Sequence, residues 1–573
     1  MTSLGTLLRT LRHLSPEQVI RRAVHEVRQR VEPHAGPATR LLYAPVPEAK
    51  CVVSLGKPAE LSEERVIVER WQRGVVEIHG VERARDDWSN AEMSRLWRYE
   101  RQYHRELPAL AMLAPDDARA LVQSWLAACP PLGRDAWEPY PVARRILNWS
   151  LALALNPALE PELAPHLAGQ VRWLANHLER HLLGNHLLCD LCALVAGAST
   201  LEFSDSDAIL KRALDGLAHE LPKQLLADGG YAERTAQYHA IVLDDALLAA
   251  TLATQRGVEL PASLRNALEA MTRWLSVVRR ADGSVPYLND AAPGSIPNLD
   301  RVLSRAHALG ISTTPKGHAA TELSQTGWSI VRRGAHELLF EHGPIGPDEQ
   351  PGHGHSDGLS FELIWDGERV VEDTGTTSYV ADAVRHHERS ATAHASITVD
   401  GQSPDELWAA FRVGARATIS GEAARLLEDD VWSLRGSLLA PQGWRHERGL
   451  IFWPGRALVI LDVVEGTTGH ALAHLPLAPG WSWHGSSLRR GERELQLHTL
   501  LGMSIDAIDG WVSAGFGKKL PRTTLRFQAD LSGRIAVVLA APGAMGALEK
   551  NGCVIEHAGE RRHVVLDARG LPT

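Results

Sequence analysis

Four stretches of the 573-residue chain concentrate histidine, tyrosine, asparagine and acid. Gly184-Asn185-His186 opens an apolar run. An Asn or His there can simply cap a helix, or it can aim hydrogen-bond donors at an anion beside the positive end of the helix dipole. Asp228 to His239 holds Tyr231 and Tyr238 in a polar loop that runs into a helix. A lone tyrosine is usually structural, so that loop says little by itself. Pro351-Gly352-His353-Gly354-His355-Ser356-Asp357 precedes a strand and sets two histidines one glycine apart. Such histidines suit an acid, a base or a metal ligand, while 27 histidines in the chain leave surface decoration open too. The last stretch joins Glu372-Asp373-Thr374-Gly375 to Arg389-Ser390-Ala391-Thr392-Ala393-His394. Successive strands can bring His355, Asp373 and His394 together. Two imidazoles with one carboxylate form a familiar zinc ligand set, its open positions filled by water or other groups.

The elements that must position these residues change period along the chain. From about Asp117 to Ala281 apolar residues recur at helical spacing, in DDARALVQSWLAAC, VARRILNWSLALAL, LAGQVRWLANHLERHLL, NHLLCDLCALVAGA and three later runs. Short connections with Gly, Pro, Asp or Asn make these antiparallel helix pairs, as in a bundle or an (α/α) toroid. After about Thr314 the runs shorten or alternate, and Asp366-Gly367 is a strong hairpin signal. Many short strands with such punctuation predict an antiparallel sandwich. The expected division is an N-terminal segment over 1–110, a helical domain over 111–315 and a β-sandwich over 316–573. The last boundary falls in HALGISTTPKGHAATELSQ.

Composition narrows the partners. Hydrophobic residues make up 44% and charged residues 23%, ordinary for a globular chain, and the length calls for more than one core. Net charge is −9, so no global basic field recruits nucleic acid or an acidic polymer, and any positive charge for an anionic substrate must be local. No apolar run is long enough to span a membrane. The N-terminus shows no secretory signal and reads as cytoplasmic. Its arginines Arg9, Arg12, Arg21, Arg22, Arg28 and Arg30 read as a solvated helical face rather than a membrane contact. Five cysteines make no disulfide framework, and Cys189 and Cys192, one turn apart in an apolar run, read as core packing rather than a metal or redox pair.

Taken in order, GNHLLCDLCALVAG, DGGYAERTAQYH, GHGHSDGLSFELIWDGERVVEDTGT and RSATAHASITVDGQSPDELW resemble the motifs of the heparinase II/III superfamily of polysaccharide lyases, over roughly Trp97 to Trp408. The resemblance implies a multidomain α+β chain, an (α/α) incomplete toroid followed by an antiparallel β-sandwich. It also implies cleavage of a uronate-containing polysaccharide by β-elimination. That reaction removes a C5 proton α to a carboxylate, so the site must neutralise the carboxylate as charge builds on it. By similarity Asn185 or His186 does this, Tyr238 is the catalytic tyrosine, serving as acid and, when activated, as base, and His353 faces it across the cleft as base for the other C5 epimer. Glu233, Arg234, His239 and Trp408 are the implied substrate-side residues, with Arg234 and His239 placed to tune Tyr238. His355, Asp373 and His394 match a structural zinc site, Asp373 rather than Glu372 being the acid; fixing His355 would orient His353.

Family lyases that act on external glycans are normally exported, so analogy points to a periplasmic or secreted place. No dense basic cluster suited to heavily sulfated heparin is present, which favours an unsulfated exopolysaccharide or capsule. Trp97, Trp173, Trp365 and Trp408 are candidates for stacking on sugars, although most of the 17 tryptophans must be structural. A glycoside hydrolase would need two carboxylates flanking the bond, with Glu233, Asp244 and Asp245 available. Uronate epimerisation would use the same proton abstraction. A non-catalytic glycan-binding or assembly protein would not need the Tyr and His set.

Overall fold

A computed structural model describes residues 4–31, 44–58, 60–131, 135–312, 319–467, 469–529 and 533–573. The helical half is built around the helix Gly184–Thr200, which packs on Pro139–Leu155, Ser206–Lys223 and Ala236–Gln255. All its residues except Gly184 and His186 are buried, as its continuous apolar sequence requires. Gly197 permits the closest approach: a Cβ there would meet Val171 Cγ2 at 2.4 Å. Cys189 and Cys192 are buried free thiols within this core.

One predicted helix ends early. The run Leu167–Leu183 continues only to Ala175, the end of the helix Glu160–Ala175. The Asp190 carboxylate accepts the Glu179 N–H at 2.7 Å, and Leu183 takes φ 59°. The chain thus reverses just ahead of Asn185, which brings Glu179 beside His186.

The last helix of this half is Leu299–Ala308 and the first strand that follows is Ala320–Leu323. Residues 313–318 of the expected boundary stretch lie outside the described residues. Five strands, Ala320–Leu323, Trp328–Arg333, His336–Glu341, Phe361–Trp365 and Glu368–Val371, form an antiparallel meander. Asp366 and Gly367 turn its last hairpin with φ of 50° and 76°, the left-handed pair that a tight hairpin needs.

A second sheet, in the order Ile397–Val399, Ala471–Pro476, Lys519–Gln528, Ile505–Ser513, adjoins the meander through a bridge between Val371 and Leu477. Both pack on an eight-stranded antiparallel sheet centred on Arg445–Trp453 and Ala457–Glu465. The core between the layers includes Phe340, Leu363, Leu475, Phe527, Leu450, Leu458 and Val537. Strands alternate faces, so Ile451, Val459 and Val538 point the other way, into a second cluster with Cys553 and Ile555 of the C-terminal hairpins. The expected helical domain followed by an antiparallel sandwich is the observed fold.

Candidate active site

The helix Ala236–Gln255 begins at the junction with the sandwich, and its first turn carries Tyr238. The Tyr238 ring stacks on His353, centroids 3.8 Å apart, and its hydroxyl lies 2.9 Å from the hydroxyl of Tyr379. Burial, reinforced by Tyr379 and Asp290, pushes the Tyr238 phenol well above its ordinary range. It is therefore held protonated.

Asp290 organises the other side of His353. Its Oδ2 lies 2.8 Å from His353 Nδ1, and its Oδ1 lies 2.9 Å from His355 Nε2 and accepts from Thr376 Oγ1 at 2.8 Å. Arg385 completes the group with a two-pronged ion pair, Nη2 donating to Oδ2 at 2.8 Å. Burial alone would raise the Asp290 pKa, but Arg385 and the two histidines hold it well below the usual carboxylate range. The ionised carboxylate accepts a hydrogen bond from His353 Nδ1–H, which leaves Nε2 as the nitrogen facing the cleft.

Nε2 of His353 points to Glu233, 3.6 Å from Oε2. Glu233 also accepts from the Tyr231 hydroxyl at 3.1 Å and from the Asn185 backbone N–H. Burial raises its pKa. The Asn185 side chain is buried with Oδ1 unpartnered, so its amide retains unused hydrogen-bonding capacity. His186 instead turns to Glu179, Nδ1 to Oε2 at 2.9 Å, and packs on the Tyr140 ring at 4.5 Å. Burial opposes a charge on His186, yet Glu179 outweighs it and raises the net pKa.

Behind this cleft, donor atoms of His355, Asp373 and His394 lie within 4.8 Å of one another, all buried. His355 Nδ1 and His394 Nε2 have no hydrogen-bond partner, whereas the opposite ring nitrogens are held by Asp290 and, at 2.7 Å, by Asp373 Oδ2. The unpartnered His355 Nδ1 and the close approach of Asp373 Oδ2 to His394 Nδ1 fit a metal shared by the three residues, which would take the place of that hydrogen bond. Asp357 adds a third buried orphan, its Oδ2, and burial lifts its carboxyl to about 7.

The structure brings together Asn185, Glu233, Tyr238 and His353 as the sequence expects, with His186 one residue along. It moves others away. Arg234 takes φ 53° and donates to the carbonyls of Thr326 and Gln325, tying the loop to the sandwich. His239 accepts from the Tyr231 N–H, sets Nε2 at 2.9 Å from the Met271 carbonyl and stacks on Trp274. Neither reaches Tyr238 as a tuning group, because these contacts hold Arg234 against the sandwich and His239 in the helical core. Trp97, Trp173 and Trp365 are buried and offer no face to a sugar. Trp408 is half-buried and donates to Thr10 Oγ1 at 3.1 Å.

Sequence reasoning missed Asp290, Tyr379, Arg385 and Glu179. Asp290 lies in a stretch with neither helix nor strand period, and Tyr379 and Arg385 fall between two recognised motifs. Their only local signal is polar residues in loops flanking the histidines.

A helical half and an antiparallel sandwich, with a Tyr–His pair at their junction, make up a two-domain architecture. The pattern of the Heparinase II/III N-terminus matches residues 117–309, and that of the Heparinase II/III-like C-terminal region matches 315–548. The chain belongs to the heparinase II/III superfamily. A heparin-sulfate lyase of Pedobacter heparinus is 26% identical over 298 residues, 47% of this chain and 44% of that protein. One of Bacteroides stercoris is 22% identical over 451 residues, 70% of this chain and 64% of that protein. The FtsZ-localized protein C of Caulobacter vibrioides is 23% identical over 360 residues, 59% of each. These matches span about half to two thirds of the relatives' own lengths. The crystal structure of a heparinase III superposes with a TM-score of 0.70 at 13% identity, covering 96% of this chain and 97% of that one.

Proposed function

We propose that this protein is a lyase that cleaves a uronate-containing, glycosaminoglycan-like polysaccharide by β-elimination. The observation that carries the reading is the stacked Tyr238–His353 pair with His353 fixed by Asp290. His353 Nε2 takes the C5 proton and the protonated Tyr238 hydroxyl delivers a proton to the leaving glycosidic oxygen. Tyr379 orients that hydroxyl. The Asn185 amide and His186, whose pKa is raised by Glu179, neutralise the substrate carboxylate at the helix N-terminus.

Zinc held by His355, Asp373 and His394 would supply a structural crosslink beneath the loop that carries His353. The two named heparin-sulfate lyases among the relatives support a glycosaminoglycan-type polymer. The sequence carries no dense basic cluster of the kind heavily sulfated heparin would call for, which favours an unsulfated polymer. A hydrolase is disfavoured because Asp244 and Asp245 are taken up by Arg305 and Arg144.

The test is ultraviolet absorbance of the unsaturated uronate during incubation with heparosan, heparan sulfate, hyaluronan, chondroitin, alginate and bacterial capsules. A rise that disappears in Tyr238→Phe supports elimination. New reducing ends without that absorbance would refute it in favour of hydrolysis.

A further inference from the structure

The N-terminal helices are docked the opposite way round from ordinary amphipathic helices, which turn their apolar face inward. In Leu4–Leu11 the buried residue is Thr6, while Leu4, Leu7, Leu8 and Leu11 form one exposed face at i, i+3, i+4, i+7. Its polar side makes the attachment. Thr6 Oγ1 donates to Glu406 Oε1 at 2.8 Å, Arg9 Nε to Glu406 Oε2 at 2.7 Å, and Thr10 Oγ1 to the Val413 carbonyl at 3.3 Å.

The helix Pro16–Val31 repeats the arrangement. Gln18 is buried and His25 stacks on His181 at 3.8 Å, whereas Ile20, Val24, Val27 and Val31 line an outer face with Val19 beside them. These nine are nearly half of the large apolar side chains exposed among the described residues. The outward apolar face corrects the expectation of a merely solvated basic helix.

We propose that this helix pair is an interfacial anchor that seats the protein on an anionic lipid surface. Charge selects that occupant. Residues 4–31 carry six arginines against two glutamates within a chain of net charge −9. Arg12, Arg21, Arg22 and Arg30 are exposed near the apolar side chains. Apolar residues enter the acyl boundary while arginines meet lipid phosphates, the arrangement by which amphipathic helices lie in a membrane interface. A second copy of the same face would set arginines against arginines, so self-pairing is the weaker match. Among the described residues no helix is long and apolar enough to cross a membrane, so the pair lies on the bilayer rather than through it. The anchor rests on geometry outside the cleft and does not depend on the lyase reading.

The experiment is co-sedimentation of the full chain with vesicles of phosphatidylcholine alone or mixed with phosphatidylglycerol. The Leu8→Glu/Val24→Glu double variant is run in parallel, since both side chains are more than half exposed. The wild type is expected to partition at least about tenfold more strongly onto the phosphatidylglycerol vesicles, and the variant to lose at least about tenfold with its melting temperature unchanged. Four outcomes overturn the proposal: no sedimentation with the anionic vesicles, equal binding to both compositions, an unaffected double variant, or a wild-type dimer that the variant converts to monomer without any vesicle binding.

Discussion

His353 Nδ1 lies 2.8 Å from Asp290 Oδ2, and the same carboxylate holds His355 through its other oxygen. One buried acid therefore sets the tautomer of the cleft histidine and the orientation of a metal-type histidine together. Asp290→Asn keeps the shape but leaves Arg385 buried opposite a neutral amide. Removing one partner of a buried ion pair costs about 3–5 kcal/mol. The variant is expected to show that loss in urea denaturation and to lose activity as well; a stability within 1 kcal/mol of wild type, taken as about the weight of one ordinary hydrogen bond, would contradict the central role given to Asp290.

Tyr238→Phe removes only a hydroxyl whose partner is Tyr379. Turnover is expected to fall by about 10²–10⁴-fold, the usual weight of a positioned acid or base, with binding of the polysaccharide retained. Titration calorimetry beside the absorbance assay separates the two. Near-normal turnover would remove Tyr238 from the chemistry.

His186 and Glu179 form a pair whose pH dependence has a definite sign. The folded pKa of His186 is raised above its ordinary 6.5, so the stabilisation is full below pH 6.5 and is lost as pH rises through the raised value. The effect is modest, about 0.2–1 kcal/mol for a partly exposed pair. Glu179→Gln is expected to destabilise fully below pH 6.5 and to approach wild type only above the raised folded pKa. A difference that grew with pH would show the pair is miscast.

His394→Ala is expected to lose bound zinc, measured by elemental analysis after dialysis, and to lower the melting temperature. Zinc added to stripped wild-type protein should raise that temperature in proportion to the logarithm of free metal above Kd. Equal metal content in variant and wild type would remove His394 from the ligand set.

Cys189→Ala and Cys192→Ala test the opposite expectation. Both thiols are buried in the central helix, where burial holds them well above their ordinary pKa. Each substitution is expected to cost about 1 kcal/mol of packing, somewhat more than one methylene-sized deletion, while zinc content and turnover stay unchanged.

The parts of this molecule legible in the sequence are those governed by local rules. The helical runs around Gly184–Thr200, the Asp366-Gly367 hairpin and the histidine loop follow from period and turn chemistry. Tyr238 and His353 were legible as motif members, but their stacking is a tertiary fact. Asp290, Tyr379 and Arg385 were not legible, because an aperiodic loop gains meaning only when two domains close on it. Arg234 and His239 erred in the other direction: both are near Tyr238 in sequence, but Arg234 is held by the Thr326 and Gln325 carbonyls and His239 by Met271. The N-terminal pair shows the same limit, since period reveals an apolar face but not which way it points.

The loop carrying Asp290 also decides where the molecule can be cut and rejoined. Thr235 Oγ1 donates to the Asp290 carbonyl and Ala292 N–H to Gln237 Oε1 on the helical side, while Asp290 N–H donates to the His353 carbonyl and Thr376 N–H to the Ala291 carbonyl on the sandwich side. A chimaera joined between the helix Leu299–Ala308 and the strand Ala320–Leu323 would inherit this loop from one parent and its partners from both. Grafted specificity should therefore travel only when residues 285–293 are matched to the sandwich that receives them, which makes this short irregular segment, rather than either folded half, the unit of exchange between relatives.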